Sequence, residues 1–287
     1  MTTFDLKSYL DGRREMVNVA LDRALPATDG AGTDAGRLRE GMRYAVLQGG
    51  KRMRPLLTLA ACEAVGGAAE VALPPACALE LIHAYSLVHD DLPAMDNDLE
   101  RRGKPTVHVA FGEANAILIG DALLTAAFSV LSSGDRDPAP GAVAFAVSRL
   151  AHHAGIDGMV GGQAKDLQLG QDIDQLATLE DVHALKTGAL YAAAGAMGAR
   201  FGGASPEVVD RLERYGLAWG IAFQHADDVL DDDQPRLRDQ AMARTDALLS
   251  ECRGIARDLG EPAAALLALA DWLGDRASRA IAGEDQA

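Results

Sequence analysis

Apolar residues recur every three to four positions along most of this chain, the spacing of one face of a helix. Residues 4–25 place Leu6, Leu10, Val17, Leu21 and Leu25 on one side. A Gly/Ala/Thr/Asp stretch over 26–36 reads as a connection, and helix resumes over 37–47, stopped by Gly49-Gly50. The pattern then predicts helices over 55–65 and 79–91, with a loop between them reaching Pro75. A polar, basic loop over 97–111 precedes a long helix over 112–134, and 135–141 is a Pro/Gly turn region. A helix pair over 142–170 breaks near 155–158, and another helix covers 179–201. Ser205 caps the next helix, with Pro206 at its first position, and that helix runs to Asp231. A terminal hairpin, 239–259 and 261–282, turns at Gly260-Glu261-Pro262.

Composition narrows this picture. The 287 residues suffice for one large domain or two ordinary ones, and 48% hydrophobic content supplies a sizeable core. Ala and Leu dominate while β-branched runs are short, which favours helix throughout. A net charge of −15 argues against general nucleic-acid binding and against an anionic membrane surface. Any anionic ligand must therefore meet locally concentrated positive charge. The lysines are few: Lys7, Lys51, Lys104, Lys165 and Lys186. Cys62, Cys77 and Cys252 lack metal-type spacing and read as reduced, mostly buried thiols of a cytoplasmic protein. No signal pattern opens the chain, and no uninterrupted apolar run looks long enough to span a bilayer, so no stable membrane anchor is expected.

The chemistry concentrates in four places. The apolar helix over 79–91 delivers Asp90 and Asp91, then Asp96, followed by Arg101-Arg102-Gly103-Lys104-Pro105-Thr106. Clustered carboxylates raise each other's pKa unless a cation neutralises them, and hard oxygen donors suit Mg²⁺ shared with a phosphate. Gly49-Gly50-Lys51-Arg52-Met53-Arg54-Pro55 puts three cations after two glycines, a compact anion site. Lys186-Thr187-Gly188 sits in an otherwise apolar helix, where a buried lysine needs an anionic partner. Phe223-Gln224-His225-Ala226-Asp227-Asp228-Val229-Leu230-Asp231 sets Asp227 and Asp231 on one helix face at i, i+4. His152-His153 carries little weight as a metal pair, because adjacent helical residues diverge. Asp121, inside an apolar run, reads as an internal hydrogen-bonded carboxylate.

These segments resemble the trans-isoprenyl diphosphate synthases, the polyprenyl synthetase family, and most nearly the bacterial short-chain farnesyl diphosphate synthases. DDLPAMD…RRGKPT resembles the first aspartate-rich motif, with one acid displaced in Asp98-Leu99-Glu100-Arg101-Arg102. FQHADDVLD resembles the second, and Gly161-Gly162-Gln163 with Asp166 resembles the family's GGQ..D segment. The resemblance implies a single all-α domain over 1–287. Its fold would be the isoprenoid synthase fold, a large antiparallel helical bundle around a deep central cavity, forming a homodimer. It implies that Asp90, Asp91, Asp96, Asp227, Asp228 and Asp231 hold Mg²⁺, three ions in all, with the allylic diphosphate. Asp90, Asp91, Asp96, Arg101, Lys186 and Asp227 would be catalytic. Isopentenyl diphosphate would meet Lys51, Arg54, His83 and Arg102, the allylic diphosphate Arg101 and Lys186, and Gly50, Thr187 and Gln224 would also bind substrate.

The implied reaction is head-to-tail prenyl transfer. Pyrophosphate departs from the allylic substrate, an apolar cavity keeps water from the cation, isopentenyl diphosphate attacks, and a proton is lost. Tyr85 and Ser86, five and four residues before Asp90, would set chain length. A bulky Tyr85 resembles farnesyl-producing relatives. One departure is large: relatives carry a lysine-bearing loop after the second motif, whereas this chain continues Asp232-Asp233-Gln234-Pro235-Arg236-Leu237-Arg238, with no lysine beyond Lys186. Arg236 and Arg238 are the candidates for the missing charge. The rival readings are a geranyl or geranylgeranyl diphosphate synthase, an ionising cyclase, or an impaired homologue serving as a partner subunit.

Overall fold

The computed structural model describes residues 4–28, 37–133, 138–170 and 173–282; the expectations for 29–36 and 134–137 lie outside the described residues. Thirteen α-helices are described in chain order: α1 Leu6–Ala24, α2 Leu38–Leu47, α3 Met53–Ala64, α4 Leu73–Asp90, α5 Val107–Phe111, α6 Glu113–Ser132, α7 Ala142–Ala154, α8 Met159–Leu169, α9 Leu176–His183, α10 Ala189–Phe201, α11 Pro206–Leu230, α12 Arg238–Leu259 and α13 Ala264–Ala282. The all-α expectation stands. Three local features were not expected. The helix before Asp90 starts at Leu73, ahead of the predicted position, because Pro74 and Pro75 fall in its first turn, where no helical hydrogen bond is lost. The loop over 97–111 contains α5 and a ladder of β1 Glu100–Arg101 with β2 Lys104–Pro105. Arg102 and Gly103, at φ 55° and 74°, make its two-residue turn, with the positive φ at both centres that suits tight hairpins. The helix expected over 179–201 is interrupted by a π-turn, Ala184–Gly188.

The chain forms two compact units. One comprises Asp11–Leu56 and Leu73–Arg136. Here α4 is buried on most of its surface and packs along α6, which also contacts α2. Glycines permit the close approach: a Cβ on Gly120 would lie 2.1 Å from His89 Nε2, and one on Gly41 would lie 2.1 Å from Ile119 Cδ1. Two stretches correct the expectation of no membrane-length apolar run: 69–90 and 113–132 both reach that length and hydropathy. The first is mostly buried in the core and the second is one-third buried. Asp121 is exposed on α6 rather than internal, since it faces away from α4.

The other unit comprises Met1–Leu10, Leu57–Ala72 and Asp137–Ala287. Its centre is α10, buried nearly all round and crossed closely by α11 at Gly195, Gly216 and Gly220. The helices α11, α12 and α13 pack in sequence, so α13 runs parallel to α11. Its register is pinned at Tyr215 Oη, donating to Leu266 O at 2.6 Å, and at Trp219 Nε1, donating to Leu269 O at 3.3 Å. Trp219 stacks on Trp272, ring centres 6.4 Å apart. Ser205 does occupy the N-cap of α11 with Pro206 behind it, but its hydroxyl bonds the Glu207 carboxylate instead of a helix amide. The three cysteines are free and buried, and burial pushes the Cys62 and Cys77 thiols up to about 12.

Candidate active site

In the first unit, α4 ends at Asp90 and the chain folds back at once. The Asp96 amide donates to the Asp90 carbonyl at 2.9 Å, and Asn97, at φ 56°, donates to Leu92 O at 3.1 Å. This ring returns Asp96 to the neighbourhood of Asp90, and both carboxyl-bearing residues keep solvent exposure. Asp91 turns inward. Its side chain is 4% exposed, and both oxygens meet Arg101: Oδ1 at 2.6 Å from Nη2 and Oδ2 at 3.2 Å from Nε. Arg101 also reaches Asp98 at 3.1 Å. Asp91, expected as a metal ligand, here pairs with Arg101 and holds it in place, as a buried carboxylate demands a nearby cation.

The cation cluster divides in the same way. Arg52 is buried at φ 55°, pairs with Glu80 at 2.5 Å, and donates to Val46 O at 2.6 Å and Asn18 Oδ1 at 3.1 Å. Of the other two cations in this segment, Lys51 is exposed and Arg54 half-buried. Arg102 crosses from the hairpin to donate to Gly49 O at 2.6 Å. Gly50 has φ 131°, a backbone conformation that favours glycine, and a Cβ there would also come 2.7 Å from Arg102 Nη1. His83 stands among these groups. Burial first, then Arg54, Arg102, Arg101 and Arg52, push its pKa well below the ordinary range, so the ring is neutral and can donate one hydrogen bond without adding charge. A cleft lined by Tyr44, Gln48, Ala84, Asp91, Arg101 and Arg102 lies beside them. Gly50, Lys51, Arg54, His83 and Arg102 thus share one region. Tyr85 is buried, edge-on to His89 at 5.8 Å, and its hydroxyl is pushed up by burial and then by Asp90. Ser86 Oγ is engaged with His83 O at 2.9 Å.

In the second unit, the π-turn carries Lys186 and Thr187. Lys186 Nζ pairs with Asp166 at 2.6 Å. Gly162 lets α8 approach so closely that a Cβ would lie 2.2 Å from the Lys186 amide nitrogen. The buried side-chain amide of Gln163 has no hydrogen-bond partner on either atom, an orphan that a bound ligand would satisfy. Thr187 Oγ1 donates to Gln224 Oε1 at 2.9 Å, and Gln224 Nε2 donates to Asp228 Oδ1 at 2.9 Å. His183 Nε2 meets the other oxygen, Oδ2, at 3.1 Å. Next to it His225 is held down to about 3, by burial first and by His183 next. Asp228, also expected as a metal ligand, therefore has both oxygens committed within the fold. Asp227 and Asp231 remain on the outer face; Asp231 is exposed, and Asp227 pairs with Arg276 at 2.6 Å. Arg238 caps the end of α11 through Val229 O at 2.9 Å, while Arg236 is exposed. His153 faces Glu213 at 2.9 Å and His152 points elsewhere, so the histidine pair is no metal site.

Sequence reasoning missed Arg276 and His183, the partners of Asp227 and Asp228, and it singled out Asp166 without pairing it to Lys186. Nothing local marks them, since each acts across a helix-helix contact. Among the described residues no three His, Cys, Asp or Glu side chains converge on one point. The accessible donors come in twos, Asp90 with Asp96 and Asp227 with Asp231. That set fits Mg²⁺, which takes one or two carboxylates and completes its shell with water and phosphate oxygens.

Comparison with known proteins agrees with this geometry. The Polyprenyl synthetase family profile matches residues 36–246. A heterodimeric geranylgeranyl pyrophosphate synthase large subunit of Arabidopsis thaliana is 46% identical over 235 residues, 80% of this chain and 62% of that protein. The chain thus spans less than two thirds of that relative. A geranylgeranyl diphosphate synthase of Cyanophora paradoxa is 45% identical over 231 residues, 80% of this chain and 75% of the relative. The crystal structure of an FPP/GFPP synthase from Zymomonas mobilis has a TM-score of 0.85 at 38% identity, covering 93% of this chain and 98% of the other. In sequence motifs, in fold and in similarity along most of its length, the chain belongs to the polyprenyl synthetase family.

Proposed function

We propose that this chain, acting as one polyprenyl synthetase domain, is a Mg²⁺-dependent short-chain prenyltransferase. It condenses isopentenyl diphosphate head to tail with dimethylallyl and geranyl diphosphates, releasing pyrophosphate and ending at farnesyl diphosphate. The observation that carries this reading is the pairing of a carboxylate ring at Asp90 and Asp96 with the cation cluster of Arg54, Arg102 and neutral His83. Mg²⁺, when bound, stabilises the charge that develops on departing pyrophosphate. Asp90 and Asp96 in the first unit, and Asp227 and Asp231 in the second, would hold it, while Asp91 and Asp228 position Arg101 and Gln224. Arg101, Lys186 and Thr187 bind the allylic diphosphate, with Lys186 exchanging Asp166 for phosphate. Gly50, Lys51, Arg54, His83 and Arg102 bind the isopentenyl diphosphate; the glycine leaves room for Arg102, and the histidine donates a neutral hydrogen bond.

Tyr85 supports a C15 product, as a buried ring on the helix that ends in Asp90. The names of the geranylgeranyl synthases above favour C20 as the second reading. The test is incubation with isopentenyl diphosphate and each of the three allylic diphosphates, with products sized by mass spectrometry. Expected are C15 from dimethylallyl and geranyl diphosphates, none from farnesyl diphosphate, and no product in EDTA. Tyr85→Ala is expected to extend the product to C20 or beyond; C20 from the unaltered protein favours the second reading, and no transfer in Mg²⁺ refutes the activity.

A homodimer belongs to this reading. Val109, Ile117 and Leu118 are exposed apolar residues on α5 and α6, at 46–49% exposure, and an apolar face of that kind gains from cover. Sedimentation is expected to give about twice the 30.1 kDa chain mass. A monomer that dimerises only with a second, different chain would point to the partner-subunit reading.

A further inference from the structure

We infer that Arg276 is a built-in counter-ion for Asp227, which a divalent cation must displace in order to bind there. This rests on the reading of Asp227 as a metal ligand. The arginine lies on α13, beyond residue 246 where the family match ends. Its side chain is 13% exposed, that of Asp227 is 26% exposed, and Nη2 stands 2.6 Å from Asp227 Oδ1. The guanidinium also lies over the Phe223 ring, 5.3 Å from its centre. Phe223, Asp227 and Asp231 follow at four-residue steps, so ring, paired acid and outer acid line one face of α11.

The contact is not a chance meeting of long side chains. The bonds from Tyr215 to Leu266 and from Trp219 to Leu269 fix the register of α13, and Trp272 stacks on Trp219 one helical turn before Arg276. Each step along α11 is matched by a step along α13, and Arg276 is delivered to Asp227 by that ladder. Its Nη1 is buried without a hydrogen-bond partner, so the ion pair leaves one donor unsatisfied. A guanidinium in that state is held by Asp227 incompletely, and a diphosphate oxygen arriving with the metal would satisfy the orphan. Arginine suits this exchange because its charge is permanent and its donors are forked. Held by the arginine, Asp227 stays in place, and a lone metal ion binds it only weakly because it must first displace the guanidinium.

The test needs no catalysis. Mn²⁺, titrated into the full chain without substrate and read as loss of the free-ion signal by electron paramagnetic resonance, reports binding at carboxylates. The component lost in Asp227→Asn is the site in question. Arg276→Met keeps packing on Phe223 and removes the charge; it is expected to tighten that component by about tenfold, the effect of about 1.4 kcal/mol. Arg276→Lys is expected to stay within about threefold of the unaltered chain. Arg276→Gln serves if the Met variant does not fold. Unchanged or weaker Mn²⁺ binding in the folded charge-removing variant would overturn the inference. Binding wholly insensitive to Asp227→Asn would instead refute the placing of metal on Asp227.

Discussion

Asp90→Asn is expected to lower turnover by about 10³-fold, roughly 4 kcal/mol of transition-state stabilisation, while leaving the melting temperature within about 2 °C. The two effects separate because of how Asp90 is built in. Its carbonyl closes the ring by accepting the Asp96 amide, and asparagine keeps that bond. Its side chain is partly exposed, so neutralising it strands no buried charge. What is lost is one of the two accessible carboxylates of the pair, and the Mg²⁺ concentration for half-maximal rate should rise with it. Asp91→Asn makes the informative contrast. It also lowers activity, but by loosening Arg101, and it lowers the melting temperature because a buried ion pair loses one partner. Turnover of Asp90→Asn within tenfold of the unaltered enzyme would mean that Asp90 does not hold the metal.

Glu80→Ala is expected to destabilise the protein by about 3–5 kcal/mol, the cost of stripping the partner from a buried cation. Arg52 and Glu80 are 3% and 5% exposed, so water cannot take over the lost contact. Arg52 would keep only its bonds to Asn18 and Val46. For a chain of this size the melting temperature should fall by about 10 °C. The site should suffer beyond stability, since Arg52 pins the segment on which Lys51 and Arg54 stand. The KM for isopentenyl diphosphate is expected to rise well below the melting point, with the KM for the allylic substrate changed little. The double change Arg52→Met with Glu80→Leu should recover much of the stability, because an apolar pair carries no desolvation cost. A single variant that melts within 2 °C of the unaltered chain would show that the pair does not hold the fold.

The helices were legible because their apolar periodicity is long and their ends carry Gly and Pro. The motifs were legible because acids and cations cluster locally, so Asp90, Asp96, Lys51, Arg54 and Arg102 could be placed by reading along the chain. What could not be read is which member of each pair turns inward. Asp90 and Asp91 are chemically the same, as are Asp227 and Asp228, and only packing decides that Asp91 meets Arg101 and Asp228 meets His183. Likewise Lys51, Arg52 and Arg54 look like one cationic site until Glu80, twenty-eight residues from Arg52, claims the middle one. Arg276 stands farther still from Asp227. Partners brought by tertiary contact leave no trace in local sequence.

The turn Ala184–Gly188 has a consequence for how this protein can vary. A π-turn holds one residue more than the regular helix on either side, so α9 and α10 are out of phase by about 100°. That offset lets His183 look toward Asp228 and Lys186 toward Asp166 while α10 stays enclosed. Dropping a single residue there would give a smoother helix with all its backbone bonds, and would swing everything before the deletion to another face. Such a shortened chain could fold as well as its parent, or better, while losing both of these pairings. In this segment, then, single-residue length changes matter more than substitutions, and regularity is what the chain has given up to set Lys186 against Asp166 and His183 against Asp228.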